Sequence, residues 1–332
     1  MSPSTSERYL VTGAAGFIGA RVAEMLLEAG HAVDGLDSVN DAYDARLKHW
    51  RLDRLRARTG FSFQQLDLAE RGAAEQYVAA RPRGVYRAVL HLAARAGVRA
   101  SVADPWAYYR DNCDATLNVL EACRRHGIAK FVLASTSSLY GLNNPRPFRE
   151  DADTNRPLSP YAASKKAAET LAHSYHYLHG LDVSVLRYFT VYGPAGRPDM
   201  SVFRFVRNIC EGAPIAVLGD GRQERDFTYI DDIARGTIAA ARPLGYEVIN
   251  LGGDRPVKLC DVIERIASLA GRTAVIERRP ADPVDVPATW ADISKARRLL
   301  DFSPQVPLEE GLARAVQWHR ENRDLARQIR LE

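Results

Sequence analysis

The sequence predicts an α/β protein built on a doubly wound parallel sheet, with a smaller C-terminal lobe. Three observations carry that expectation. Short apolar runs alternate with longer helical patterns, a glycine triplet lies between the first run and the first helix, and a Tyr-x-x-x-Lys pair opens a later helix.

Arg8-Tyr-Leu-Val-Thr12 reads as a buried strand, and Ile18 to Glu28 as a helix ending at Gly30. Ala32–Leu36, Phe61–Leu66 and Ala88–Leu92 read as the next three strands, followed by Phe131–Ala134 and Val183–Arg187, with helices between them. Such βαβα alternation favours a parallel sheet covered by helices on both faces, a Rossmann-like arrangement. Glu247–Leu251 reads as a returning strand, and Asp41–Thr59 as a charged, helix-like insertion. Proline and glycine density rises after Tyr188. The expected division is a dinucleotide-binding domain over 1–189, with returning pieces at about 229–251, and a lobe made of 190–228 and 252–332.

Composition bounds the function. With 332 residues the chain can bury a sizeable core, and 46% hydrophobic with 26% charged residues is ordinary for a globular protein. A net charge of +4 without a basic tract argues against a nucleic-acid polymer as partner. No apolar run reaches membrane-spanning length, and Met1–Arg8 lacks the apolar core of a leader. Cys113, Cys123, Cys210 and Cys260 show no C-x-x-C spacing, so they are expected as reduced thiols of a cytoplasmic protein, with no metal site.

Gly13-Ala-Ala-Gly-Phe-Ile-Gly19 joins the first strand to the first helix. Glycines there permit a tight turn and let a pyrophosphate approach free N–H groups at a helix N-terminus. Asp37, about twenty residues on at the end of the second strand, suits a ribose 2′-hydroxyl and repels a 2′-phosphate, so NAD is favoured over NADP. Asp67, after the third strand, is placed for the adenine or for a helix N-cap. His91, mid-strand, reads as a satisfied core histidine.

Tyr161 and Lys165 lie one helical turn apart, after the strand that ends Ser135-Thr-Ser-Ser138. A phenol titrates near ~10 in water, and a fixed cation beside it favours the phenolate. Thr136 can hydrogen-bond the same substrate hydroxyl and relay its proton.

Together these residues resemble the extended short-chain dehydrogenase/reductase family over nearly the whole chain. Within it, four segments are similar to UDP-glucuronate 4-epimerases: Arg187-Tyr-Phe-Thr-Val-Tyr-Gly-Pro-Ala-Gly-Arg-Pro-Asp-Met200, His91-Leu-Ala-Ala-Arg-Ala-Gly-Val-Arg99, Ser135-Thr-Ser-Ser-Leu-Tyr-Gly-Leu-Asn143 and Arg225-Asp-Phe-Thr-Tyr-Ile-Asp-Asp232. The resemblance implies Tyr161 as base and acid, Lys165 as its tuner and ribose ligand, and Thr136 as proton relay. It implies a tightly bound NAD, regenerated each cycle, held by Gly13, Gly16, Phe17, Ile18, Gly19, Asp37, Ser38, Asn40, Asp67, Leu68, Leu92, Ala93, Ala94, Asn112 and Tyr188 besides Tyr161 and Lys165. It implies a UDP-sugar held by Arg99, Ala216, Leu218, Arg225, Arg279 and Asp282, with the arginines Arg225 and Arg279 on pyrophosphate and Asp282 on ribose. A homodimer pairing helices near Pro105–His126 and Tyr161–Gly180 is implied as well. Two departures bear on pocket width: Ala195 stands where the family segment usually has tryptophan, and Arg95 where glutamine is common.

Relatives that dehydrate or decarboxylate the same keto sugar carry a carboxyl residue just after the threonine. Here those positions are Ser137 and Ser138, which would welcome an anionic sugar carboxylate. Thr190 and Arg197 add donors, and arginine matches a carboxylate bidentately. The expectation is thus a 4-epimerase interconverting UDP-glucuronate and UDP-galacturonate. The alternatives are a 4-epimerase of neutral UDP-hexoses or a catalytically silent NAD-binding sensor.

Overall fold

The computed structural model describes residues 6–282 and 285–331. The first five residues of the segment read for a leader, and Pro283, Val284 and Glu332 of the expected lobe, lie outside the described residues. In chain order the strands are β1 (Arg8–Thr12), β2 (Ala32–Asp37), β3 (Phe61–Gln65), β4 (Tyr86–His91), β5 (Lys130–Thr136), β6 (Asp182–Tyr188), β7 (Thr190–Tyr192), β8 (Ile215–Leu218), β9 (Glu224–Tyr229), β10 (Tyr246–Leu251), β11 (Pro256–Lys258) and β12 (Ile276–Arg279).

Seven of these form one sheet in the order β10-β6-β5-β4-β1-β2-β3, every neighbouring pair parallel. Side chains alternate across it, as the period of two requires. Tyr9, Val11, Val132, Ala134 and Leu186 pack on one face, with helix Phe17–Glu28 and helix Ile230–Ala239. Leu10, Val89, Phe131, Leu133, Val183 and Val185 pack on the other, with helices Ala73–Ala79, Ala115–His126 and Pro160–His179. Both faces are therefore covered, which explains why the strands read as continuous apolar runs rather than alternating ones.

The strand order reverses between β1 and β4, so the turns after those two strands part company at one end of the sheet and open a crevice there. Gly13 in the first turn has φ +70, and a Cβ on it would fall 2.7 Å from the backbone N of Ala93 in the second. Only glycine allows the two turns to approach so closely.

The remaining strands build smaller sheets. β9 pairs with β11 antiparallel and with β7 parallel, while β8 pairs with β12 parallel. Helices Ser201–Glu211, Leu259–Ala270 and Leu308–Glu321 pack together beside them. The insertion after β2 contains a helix, Ala45–Arg56, capped by the Asp44 side chain accepting from Arg46 N at 3.1 Å. Its cationic residues are not all solvated. Arg51, 4% exposed, donates to Ala15 O at 3.1 Å and to Ala195 O at 2.6 Å, tying the glycine turn to the segment after β7.

Candidate active site

Helix Pro160–His179 begins where its sequence says it should. Ser159 caps it, accepting from Ala162 N at 3.2 Å, and Pro160 occupies the first turn. Tyr161 is thereby fixed at the helix start, and Lys165 follows one turn later. The strand β5 delivers Thr136 opposite them, and the Thr136 hydroxyl accepts from Ser138 N at 3.1 Å. All three side chains line one cleft of about 340 Å³, together with Ser137, Ser138, Thr190 and Arg197.

The same cleft runs back to the crevice between β1 and β4, where Gly13, Gly16, Phe17, Ile18, Gly19, Asp37, Ser38, Asn40, Asp67, Leu68, Leu92, Ala93, Ala94 and Tyr188 line it. Asp37 is 8% exposed; its carboxylate accepts from Ala15 N at 3.1 Å and Val39 N at 2.7 Å, so it also fixes the turn it borders. Asp67 is not a helix N-cap, since the next helix, Ala73–Ala79, is capped at Gly72; its carboxylate closes a turn, accepting from Ala69 N at 3.0 Å, while its other oxygen pairs with Arg110.

Other expected residues are not brought to the cleft. Asn112 is fully buried in a π-helical turn, Arg110–Asp114. Its amide accepts from Arg95 N at 2.8 Å and donates to Arg95 O at 3.0 Å and Ser164 Oγ at 2.9 Å, so it pins the loop after β4 instead of lining the cleft. Arg99, Arg225 and Asp282 gather in a separate ionic group: Arg99 pairs with Asp282 at 2.8 Å and Asp285 at 3.3 Å, and Arg225 with Asp285 at 2.5 Å. Ala216, Leu218 and Arg279 lie on the adjoining pair β8 and β12, where Leu218 is the register partner of Arg279.

Sequence reasoning missed several residues. Tyr43, Lys48, Asp111 and Met200 also line the cleft. Lys48, 5% exposed, donates to Asn40 O and Asn40 Oδ1, both at 2.8 Å. The three-residue spacing of Lys48 and Arg51 on a helix was the available signal that one charged face turns inward. Glu169 and Arg187 form a buried bidentate pair, with Ser135 donating to Glu169 at 2.6 Å beneath the strand end.

The electrostatics assign distinct conditions to each group. Burial pushes the Tyr161 phenol up; Thr136 and the Arg197 cation oppose this, and Asp199 adds to it. Burial draws Lys165 down to about 8, against the pull of Glu169 and Cys113. The Lys165 ammonium, 2% exposed, makes no hydrogen bond among the described residues. A buried cation that faces a cleft and has no protein acceptor fits a ligand hydroxyl, such as those of a nicotinamide ribose. The residues present therefore fit NAD: an acidic group at Asp37 for the adenosine ribose, a glycine turn for the pyrophosphate and free donors at the far end. His91 is the core histidine expected, held between Thr12 Oγ1 at 2.8 Å and Thr116 Oγ1 at 3.1 Å. Burial, with some help from Lys165, lowers its pKa to about 3.

A doubly wound sheet with a dinucleotide crevice and a Thr, Tyr and Lys cluster in one cleft defines a nucleotide-dependent enzyme scaffold of the short-chain dehydrogenase/reductase type. Residues 9–252 match the NAD dependent epimerase/dehydratase family, and the chain belongs to that family. It is 54% identical to a UDP-glucuronate 4-epimerase of Thermodesulfobacterium geofontis, over 97% of this chain and 99% of that protein. A probable UDP-glucuronate 4-epimerase of Rhizobium meliloti is 39% identical over 95% and 97%. Among solved structures, UDP-glucuronic acid 4-epimerase from Bacillus cereus, in complex with UDP-glucuronic acid and NAD, superposes with a TM-score of 0.87 at 37% identity, covering 95% of this chain and 99% of that one.

Proposed function

We propose that this chain is an NAD-dependent UDP-glucuronate 4-epimerase, interconverting UDP-glucuronate and UDP-galacturonate through a 4-keto intermediate. One observation carries the reading. Thr136, Tyr161 and Lys165 share a cleft with Ser137, Ser138, Thr190 and Arg197, a set of hydroxyls and one guanidinium suited to an anionic sugar. No carboxyl residue follows Thr136 to drive dehydration.

NAD supplies the hydride acceptor and donor, so the cycle has no net redox change. Tyr161 as phenolate takes the C4 hydroxyl proton and later returns it, and Thr136 orients that hydroxyl and relays the proton. Lys165 donates to the ribose and favours the phenolate by its charge. Turning the keto sugar within the pocket presents its opposite face, and inversion follows. Arg225 and Arg279 bind the pyrophosphate and Asp282 the ribose of UDP. Asn112 acts at the cofactor through the loop it pins.

The working unit is a homodimer in the cytoplasm. Trp106, 84% exposed, and Tyr177, 80% exposed, stand on the helical segments that would pair, and such apolar exposure favours a covering partner. No described helix is long and apolar enough to cross a membrane.

The test is incubation with UDP-glucuronate and NMR of the sugar. Appearance of UDP-galacturonate is expected; conversion of UDP-glucose alone would establish the neutral-hexose reading instead, and no product from either would leave a silent NAD-binding protein.

A further inference from the structure

Arg197 does not stand free in the cleft. Its Nε donates to Asp199 Oδ1 at 3.1 Å and its Nη2 to Asp199 Oδ2 at 2.5 Å, a side-on fork. Nη2 also donates to Ala96 O at 3.0 Å. That same carbonyl accepts from Tyr108 Oη at 3.3 Å, and the Tyr108 ring meets the Tyr161 ring edge-on, with centroids 6.1 Å apart. Nη1 of Arg197 has no partner among the described residues. The pair is half-shielded, with side chains 22% and 34% exposed.

We infer that Asp199 is a positioning residue for the acidic substrate: it locks one edge of the Arg197 guanidinium, cancels part of its charge, and leaves Nη1 as the end offered to the sugar carboxylate. The inference rests on the role of Arg197 proposed above. An arginine with both edges free would grip a carboxylate bidentately, and a charge-assisted fork of that kind is strong as well as specific. With one edge taken, the sugar receives a weaker, single-ended contact and feels a neighbouring anion. Asp199 thus trades affinity for release, and sets the angle at which Arg197 meets the ligand.

The same pair bears on the base. The groups facing the Tyr161 phenol are the Thr136 hydroxyl, Arg197, Asp199 and Tyr108, with Lys165 on its own helix. Arg197 favours the phenolate and Asp199 opposes it. Removing the Asp199 charge alone therefore favours ionisation of Tyr161 at lower pH, and the acid side of the rate profile rises.

The experiment is Asp199→Asn in the full-length, NAD-loaded protein. Calorimetry should give a Kd for UDP-glucuronate about three- to tenfold lower than wild type, with the Kd for UDP-glucose unchanged within about twofold. The ratio of kcat at pH 6 to kcat at pH 8 should rise about threefold or more. In an Arg197→Gln background, Asp199→Asn should change UDP-glucuronate affinity no further. Asp199→Glu, which keeps the charge, should retain the wild-type preference between the two sugars, and a thermal melt guards against unfolding of the Asn variant. Equal shifts for both sugars, weaker UDP-glucuronate binding in Asp199→Asn, or the same shift in the Arg197→Gln background would overturn the inference. The affinities for the two sugars and the Arg197→Gln background are binding readouts, so a wild-type protein without epimerase activity would count against the proposed reaction and not against the role of Asp199.

Discussion

Glu169 stands one helical turn beyond Lys165 and grips Arg187 through both carboxylate oxygens, at 3.0 Å to Nε and 2.9 Å to Nη2. Both residues are under 5% exposed. Around them Ser135 donates to Glu169 at 2.6 Å, and Arg187 Nη1 donates to Tyr140 Oη at 3.1 Å, which donates in turn to Asn250 Oδ1 at 2.6 Å. This network fixes the end of β5 against β6 and the active-site helix, and so sets where Thr136 meets Tyr161.

Glu169→Ala should therefore leave the Arg187 guanidinium buried without its anion. Breaking one half of a buried pair costs about 3–5 kcal/mol, which urea unfolding would read directly. Glu169→Leu with Arg187→Met removes both charges and should recover much of that loss. A single variant as stable as wild type would show that solvent reaches the pair.

Tyr161→Phe removes only the ionisable oxygen and keeps the ring that packs on Tyr108. Epimerisation should fall by a factor of about a thousand or more, because general acid–base transfer is lost and the hydroxyl proton has nowhere to go. The melting temperature should stay within a few degrees. Residual rates near wild type would remove Tyr161 from its assigned role.

His91 makes stability depend on pH. In the folded protein its pKa is pushed down to about 3, against 6.5 for the free side chain. Between those values the unfolded chain binds a proton that the folded one does not, so stability is lost as pH falls from about 6.5 toward 3, at up to about 1.4 kcal/mol per unit. Urea unfolding at pH 7 and pH 5 should show the loss, and His91→Asn should flatten the difference by about 2 kcal/mol. An unchanged pH dependence in that variant would mean that other groups govern acid sensitivity.

The exposed residues Trp106, Val102, Tyr177 and Leu178 supply the apolar surface for the proposed dimer. Trp106→Arg with Leu178→Arg should give a monomer by light scattering at micromolar concentration, while the wild-type chain gives a dimer. A wild-type monomer under those conditions would refute the assembly.

The parallel sheet was legible in the sequence because both of its faces are buried. Runs such as Leu-Val-Thr and Phe-Val-Leu-Ala then carry no polar alternation to confuse the pattern. The glycine turn and the Tyr161–Lys165 spacing were legible because each is set by local geometry, a tight turn in one case and a helical repeat in the other. What sequence could not supply were pairings across distance. Nothing in the string connects Arg51 to Ala195 or Asn112 to Arg95, and Glu169 meets Arg187 only because β6 returns beside the helix. Asp199 was likewise invisible as a partner, although it stands two residues from Arg197, since only the loop's conformation brings the two side chains together.

The acid group of the sugar gives the last test. Ser138 and Thr190 line the cleft with Arg197, and in the proposed reaction each hydroxyl donates to the C6 carboxylate. A hydrogen bond to a charged group is worth roughly 1.5–3 kcal/mol, so Ser138→Ala or Thr190→Ala should lower kcat/KM for UDP-glucuronate about ten- to a hundredfold, with a much smaller effect on UDP-glucose. The 4-keto acid intermediate is a β-keto acid, which loses CO2 when its C5–C6 bond aligns with the carbonyl π system. Hydroxyls that hold the carboxylate keep it out of that alignment. Loosening them should raise the share of turnover that ends in CO2 and a UDP-pentose, measured by NMR of the products alongside the kinetics. Equal losses on acidic and neutral sugars, with no decarboxylated product from either variant, would mean that these hydroxyls only finish a strand and a sheet edge.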